Sequence, residues 1–195
     1  MNIKTNEELQ KYLKYEKKLY FRYGLRDTLI KYVTSSPAPL IYKYVKLIRK
    51  TEFFYNQNRS LYRNFMYFYY RRKKNVLGQK LGIEMYENTF DSGLMIWHSN
   101  GIVVNSSAVI GKNCCLHGRN CIGNNGKDNL CPIIGDNVDI GVGASIIGNV
   151  KIADNVTIGA NSVVVSDILV PGCTVVGIPG RPINIADNKK SNKHK

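Results

Sequence analysis

The 195 residues contain three histidines, His98, His117 and His194. His98 stands in GLMIWHSNGIVVN, residues 93–105, at the edge of an apolar run. A hydroxyl is a poor nucleophile until its proton is removed, and an imidazole, with an ordinary pKa of about 6.5, can remove it at neutral pH. A base at His98 would therefore suit group transfer to an alcohol; a packed histidine with a satisfied hydrogen bond is the other reading. His117 follows in NCCLHGRNCIGNNG. It reads either as a second polar group beside His98 or as a plain surface side chain. His194 lies in a basic tail and reads as inert. The five cysteines are odd in number and have no C-x-x-C spacing. Cys114, Cys115, Cys121 and Cys173 are expected to be structural thiols in a reducing cytoplasm, with no metal site.

The elements that must position these histidines are set by a repeat. Stepping by six from Val104 gives Val104, Ile110, Leu116, Ile122, Asp128, Ile134, Ile140, Ile146, Ile152, Ile158, Val164, Val170 and Val176. Twelve of the thirteen are aliphatic, and Asp128 falls in the polar stretch NNGKDN, which reads as a loop. Period six fits neither a helix at 3.6 nor an alternating strand at two. It fits short extended segments separated by turns, each pointing one aliphatic side chain inward. Small or β-branched residues recur four positions later, as at Ala108, Cys114, Val138, Ala144 and Val156. Asn113, Asn137, Asn155 and Asn161 suit turns with positive φ. Three such hexads make one coil, and stacked coils share one core. His117 comes one position beyond a full coil from His98, so a single extra turn residue near Asn100–Gly101 would set the two side by side.

This pattern resembles that of the hexapeptide-repeat acyltransferases, over about residues 80–184. The resemblance implies a mainly β protein, a left-handed parallel β-helix preceded by an α-helical region. The stretch GLMIWHSNGIVVNSSAVIG is similar to one in serine acetyltransferases and in sugar O-acetyltransferases, where the matching histidine is the general base; His98 takes that position. Glu84, in GIEMYENT, matches the acidic residue that orients the base, with Glu87 or Asp91 as alternatives. His117 would help to position the acceptor or the thioester. Acetyl-CoA is the implied donor, lying along Gly123, Asn124, Val142, Gly143, Ala144, Gly159 and Ala160, with Arg181 near its phosphates and a backbone N–H near Gly143 as oxyanion donor. The implied assembly is a homotrimer, with pairing of trimers left open.

The chain also departs from the serine enzymes. Trp97 stands where they carry Asp before the base, and Leu130-Cys131-Pro132 replaces their Arg-His-Pro. A zwitterion needs paired charges to offset its desolvation, whereas Trp97 would offer a flat face to a sugar ring. The leading expectation is therefore acetyl transfer to a carbohydrate hydroxyl in capsular or surface-polysaccharide synthesis. Serine O-acetylation is the alternative, and a non-catalytic repeat protein that binds polyanions a further one.

Residues 1–75 hold 18 of 28 Lys+Arg and 5 of 14 Asp+Glu, a net of 18 − 5 = +13, and twelve of the thirteen tyrosines lie before residue 71. Three regions follow: a basic, Tyr-rich helical region over 1–75, the β-helix over 76–184 and a basic tail over 185–195. Helical spacing appears in Leu9, Tyr12, Leu13, Glu16, Leu19 and Tyr20 and, after Pro37 and Pro39, in Ile41, Val45, Leu47 and Ile48. Two or three helices are expected, with Leu61–Arg72 packed on the first coil or lying on a membrane surface. The basic face reads as solvated, or as a contact with an anionic membrane or lipid-linked glycan; no nucleic-acid motif appears. Neither an apolar leader nor an apolar span long enough to cross a bilayer is present, which predicts a cytoplasmic protein, peripheral at most to the inner membrane.

Overall fold

The computed structural model describes residues 3–22, 24–58 and 60–183; His194 and the tail over 185–195 lie outside them. Four helices come first: α1 (Asn6–Tyr20), α2 (Gly24–Val33), α3 (Pro37–Tyr55) and α4 (Leu61–Leu81). Thr5 and Glu8 close a capping box at the start of α1, Thr5 Oγ1 accepting from the Glu8 N–H and Glu8 Oε2 from the Thr5 N–H. Pro37 begins α3, where a missing N–H costs nothing. Ser60 caps α4, which runs through the compositional break near residue 75 and ends only at Gly82, in the left-handed region at φ 63°.

The strands then wind in coils. The first coil contains β1 (Ile83–Glu84) and β2 (Met95–Ile96); the second, β3 (Ile102–Val104), β4 (Val109–Ile110) and β5 (Cys115–Leu116). The third has β6 (Cys121–Gly123), β7 (Ile133–Ile134) and β8 (Asp139–Ile140); the fourth, β9 (Ser145–Ile147), β10 (Lys151–Ile152) and β11 (Thr157–Ile158). β12 (Val163–Val164) and β13 (Thr174–Gly177) complete the stack, and β14 (Gly180–Ile183) folds back antiparallel on β13. All other pairings are parallel and form three faces: β1-β3-β6-β9-β12, β4-β7-β10, and β2-β5-β8-β11-β13. This is the left-handed β-helix that the family resemblance implies.

Ten of the hexad positions, Val104 to Val164 without Asp128, are buried. Asp128 sits in the loop between β6 and β7. The paired residues Val109 and Ile133 are four hexads apart instead of three, so the loop takes up one whole repeat and keeps phase. The last two positions depart: Val170 and Val176 are exposed, and Ile168 and Val175 fill the core instead. Ile168 bridges Ile152 and Val175 pairs with Ile158, in each case at less than three full hexads, so the final coil is short and the inward phase slips. The turn asparagines 113, 137, 155 and 161 do adopt positive φ, between 56° and 61°.

The helical layer is bolted to the coils by tyrosines and one arginine. The Tyr12 hydroxyl donates to Asp91 (2.6 Å) and that of Tyr15 to Asn113 (2.8 Å), while the Tyr20 oxygen accepts the N–H of Ile96 (2.9 Å). Arg49 of α3 is fully buried and bonds Glu16, Glu52 and the carbonyls of Phe90 and Asp91. The segment that leads into β2, and so into His98, is thereby held from α1 and α3. No helix among the described residues is long and apolar enough to cross a membrane.

Candidate active site

His98 lies on the corner that joins β2 to β3, and it is exposed. Strand pairing sets what stands beneath it. Val103 pairs with Cys121, three hexads on, but Ile96 pairs with Leu116, further along than that, so the first corner carries two extra residues. His117 therefore does not sit under His98, as a coil of three hexads with one extra turn residue suggested. Trp97 stands over His117, their rings 6.2 Å apart and 28° from parallel. His98 stands over Gly118, where an added Cβ would meet the His98 carbonyl oxygen at 3.0 Å and its Cβ at 3.2 Å. Gly118 also has φ +104°, a conformation that side chains disfavour. Gly118→Ala should cost roughly 1–2 kcal/mol in chemical denaturation and shift His98, lowering any activity that depends on it.

The same corner continues downward. Gly143 N–H donates to the Gly118 carbonyl (2.9 Å) and Asn161 N–H to that of Val142 (2.9 Å). His98, Gly118, Val142, Gly143, Ala144, Gly159 and Ala160 thus share one edge of the prism. The Gly143 N–H is already engaged, so it cannot also serve as oxyanion donor. Gly123 and Asn124 lie elsewhere, in a groove of about 290 Å³ shared with Glu84, Asn105 and Ile147. Arg181 is on β14, paired with Val176, whose side chain lies against Gly159, and its guanidinium donates to Ser166 Oγ (3.2 Å).

Glu84 is not the partner of His98. One of its oxygens accepts the Tyr86 hydroxyl (2.9 Å), and that bond raises the Tyr86 pKa. The alternatives are engaged too: Glu87 pairs with Lys74 (3.1 Å), and Asp91 accepts from Tyr12. Among the described residues no side chain is hydrogen-bonded to the His98 ring. Glu84 instead lines a cavity of about 550 Å³ between α4 and the first coil, with Arg71, Lys74, Asn75, Gln79 and Gly101. Opposite charges converge there. Arg71 and Lys74 escaped the sequence reading because they fell in a run of basic residues that looked solvated.

A second missed residue is Asp139. Its carboxylate lies 2.7 Å from His117 Nε2, in a half-exposed pair. Counting the loop as one extra hexad would have found it, since a four-hexad register places Asp139 beside Cys115. Cys115 accepts the Trp97 indole N–H at 2.9 Å. Burial and the Asp139 carboxylate push the Cys115 thiol up to about 11, against the pull of that N–H.

Fold and corner together define a hexapeptide-repeat β-helix with an exposed imidazole on one prism edge. No family model matches the chain. The chain is 39% identical over 105 residues to serine acetyltransferase of Synechococcus elongatus, covering 52% of this chain and 43% of that protein. To probable serine acetyltransferase 4 of Oryza sativa it is 49% identical over 94 residues, covering 47% of this chain and 29% of that one. The chain thus spans less than half the length of these curated relatives. Among solved structures, serine acetyltransferase from Neisseria gonorrhoeae superposes with a TM-score of 0.68 at 29% identity, over 91% of this chain and 68% of that one. The same enzyme in complex with serine matches at 27% identity and TM-score 0.68, over 92% and 70%. This is a hexapeptide-repeat chain whose relatives are serine acetyltransferases.

These likenesses overturn the carbohydrate acceptor and its capsular setting, and they lend nothing to a membrane or glycan contact. The Trp97 indole N–H is engaged by Cys115 and the half-exposed ring lies beside His117, its centroid 6.2 Å from the imidazole.

Proposed function

We propose that the chain is an acetyl-CoA-dependent serine O-acetyltransferase. The observation that carries this reading is its likeness to serine acetyltransferases in both sequence and structure, including one bound to serine. His98 is the base: it takes the proton from the serine hydroxyl as that oxygen attacks the thioester carbonyl, and passes it to the CoA sulfur as the C–S bond breaks and the thiol leaves. No acyl-enzyme is needed. The small residues of the same prism edge, Gly143 with Gly159 and Ala160, let the pantetheine arm approach the backbone, flanked by the exposed Val142 side chain. A neighbouring subunit of a homotrimer would close that edge.

The cavity beneath α4, whose lining reaches Gly101 of the corner that carries His98 but does not include His98 itself, holds the opposite charges that a zwitterionic acceptor requires. In this reading Arg71 takes the carboxylate and Glu84 the ammonium group, which moves Glu84 from orienting the base to holding the acceptor. The test is formation of O-acetylserine from acetyl-CoA and L-serine by the full chain, read by mass spectrometry. Product is expected, and its absence at saturating substrates overturns the proposal. Glu84→Gln should raise KM for serine roughly tenfold or more, with kcat far less affected, since a charged hydrogen bond contributes about 1.5–3 kcal/mol.

A further inference from the structure

Beside the proposed base, on the outer face of β5 and β8, is a cluster that acetyl transfer does not use. Cys115 and His117 flank the inward Leu116, so both point outward, and Asp139 is the pairing partner of Cys115 on the coil below. Cys115 Sγ, a ring nitrogen of His117 and a carboxylate oxygen of Asp139 all lie within 4.8 Å of one another. We propose that these three residues form a binding site for a divalent transition-metal ion of the zinc class.

The donor set fits that class. A thiolate, an imidazole and a carboxylate are the ligands such ions take in three-protein-ligand sites, with the fourth position left to water. Ligand atoms around a tetrahedral ion stand about 3.5 Å apart. No pair therefore has to close by more than about 1.3 Å, and the 2.7 Å contact between His117 and Asp139 must open. Side-chain rotation has to supply both changes, while the β5–β8 pairing holds Cys115 and Asp139 side by side. Charge balances as well: a thiolate and a carboxylate offset the ion, and the imidazole binds neutral. On binding, the Cys115 thiol proton leaves to solvent. The imidazole binds through whichever ring nitrogen takes the ion, with its remaining proton on the other nitrogen.

A supporting shell is already in place. The Trp97 indole N–H points at the sulfur at 2.9 Å, a donor suited to a thiolate ligand, and its ring lies beside the imidazole at 6.2 Å between centroids. The side chains of His117 and Asp139 are 36% and 48% exposed, which gives an ion a way in from solvent. The isolated Cys115 spacing hid this set from a search for C-x-x-C motifs. It appears only when the four-hexad register brings Asp139 up to the cysteine.

The test is titration of the chelator-treated full chain with Co²⁺, followed by displacement with Zn²⁺. A saturable site of one ion per chain is expected, with a near-ultraviolet thiolate-to-cobalt band. Cys115→Ser should abolish the band, and Asp139→Asn and His117→Gln should each weaken binding at least roughly tenfold. Persistence of the band in Cys115→Ser would assign it to another cysteine and overturn the proposal. So would indifference to Asp139→Asn and His117→Gln, or the absence of saturable binding. His98→Ala should still bind the ion, so this result stands or falls apart from the proposed acetyl transfer.

Discussion

Replacing His98 with alanine should lower turnover with L-serine and acetyl-CoA by roughly 10²–10⁴, the contribution of a positioned general base. The melting temperature should barely move. His98 is exposed, makes no side-chain hydrogen bond among the described residues, and rests over a glycine, so truncation leaves neither a cavity nor an orphaned partner. Surface changes of that kind usually stay within about 0.5 kcal/mol. KM for acetyl-CoA should hold, because the edge formed by Gly143, Gly159 and Ala160 is untouched. His117→Ala is the informative comparison. His117 has what His98 lacks, a carboxylate at 2.7 Å in the manner of a base and its orienting group. If His98→Ala turns over at nearly the wild-type rate while His117→Ala does not, the His117–Asp139 pair is the base and the corner assignment fails.

How far the sequence carried the fold and the site depends on the kind of information each needed. The coil stack was legible because an inward aliphatic residue every six positions is a constraint each turn must meet. Legibility ended where the length of a coil changed. Two extra residues at the corner after Ile96 moved His117 from beneath His98 to beneath Trp97, and a short last coil exchanged Val170 and Val176 for Ile168 and Val175. Glu84 failed as the partner of His98 for a similar reason: flanking similarity says which residue type recurs, not on which face its carboxylate ends. Asp139 was hidden by the looped-out hexad. The opposite-charge cavity was hidden because Arg71 and Glu84 come from a helix and a strand that nothing in the local pattern pairs. Glu16 is the converse case. It fell in phase with the apolar face of α1 and is indeed fully buried, but its partner Arg49 lies on α3, beyond the reach of any local pattern.

That partner carries the second large effect. Arg49→Met should destabilise the chain by about 3–5 kcal/mol, which for a chain of this size is about 6–20 °C in melting temperature. Arg49 donates to Glu16 Oε1 at 2.7 Å, to Glu52 Oε2 at 2.9 Å, and to the carbonyls of Phe90 and Asp91 at 2.8 and 2.6 Å. Methionine fills similar volume, so the loss is one of pairing rather than packing. It strands two buried carboxylates and two carbonyls. Desolvation already raises the Glu52 carboxyl above its ordinary value, with Arg49 pulling the other way. Removing Arg49 removes that pull, and a carboxyl raised in the folded state favours folding when protonated. The deficit of Arg49→Met should therefore shrink as pH falls toward the ordinary carboxylate range and be complete at neutral pH. Adding Glu16→Gln and Glu52→Gln to Arg49→Met should recover part of the stability, since neutral amides cost far less to bury than unpaired charges. Glu16 Oε1 also accepts the N–H groups of Gly93 and Leu94, so the variant should speed amide exchange along the segment leading to Trp97 and His98. A melting temperature within about 2 °C of wild type at neutral pH would mean that this buried triad does not hold the helical layer to the coils.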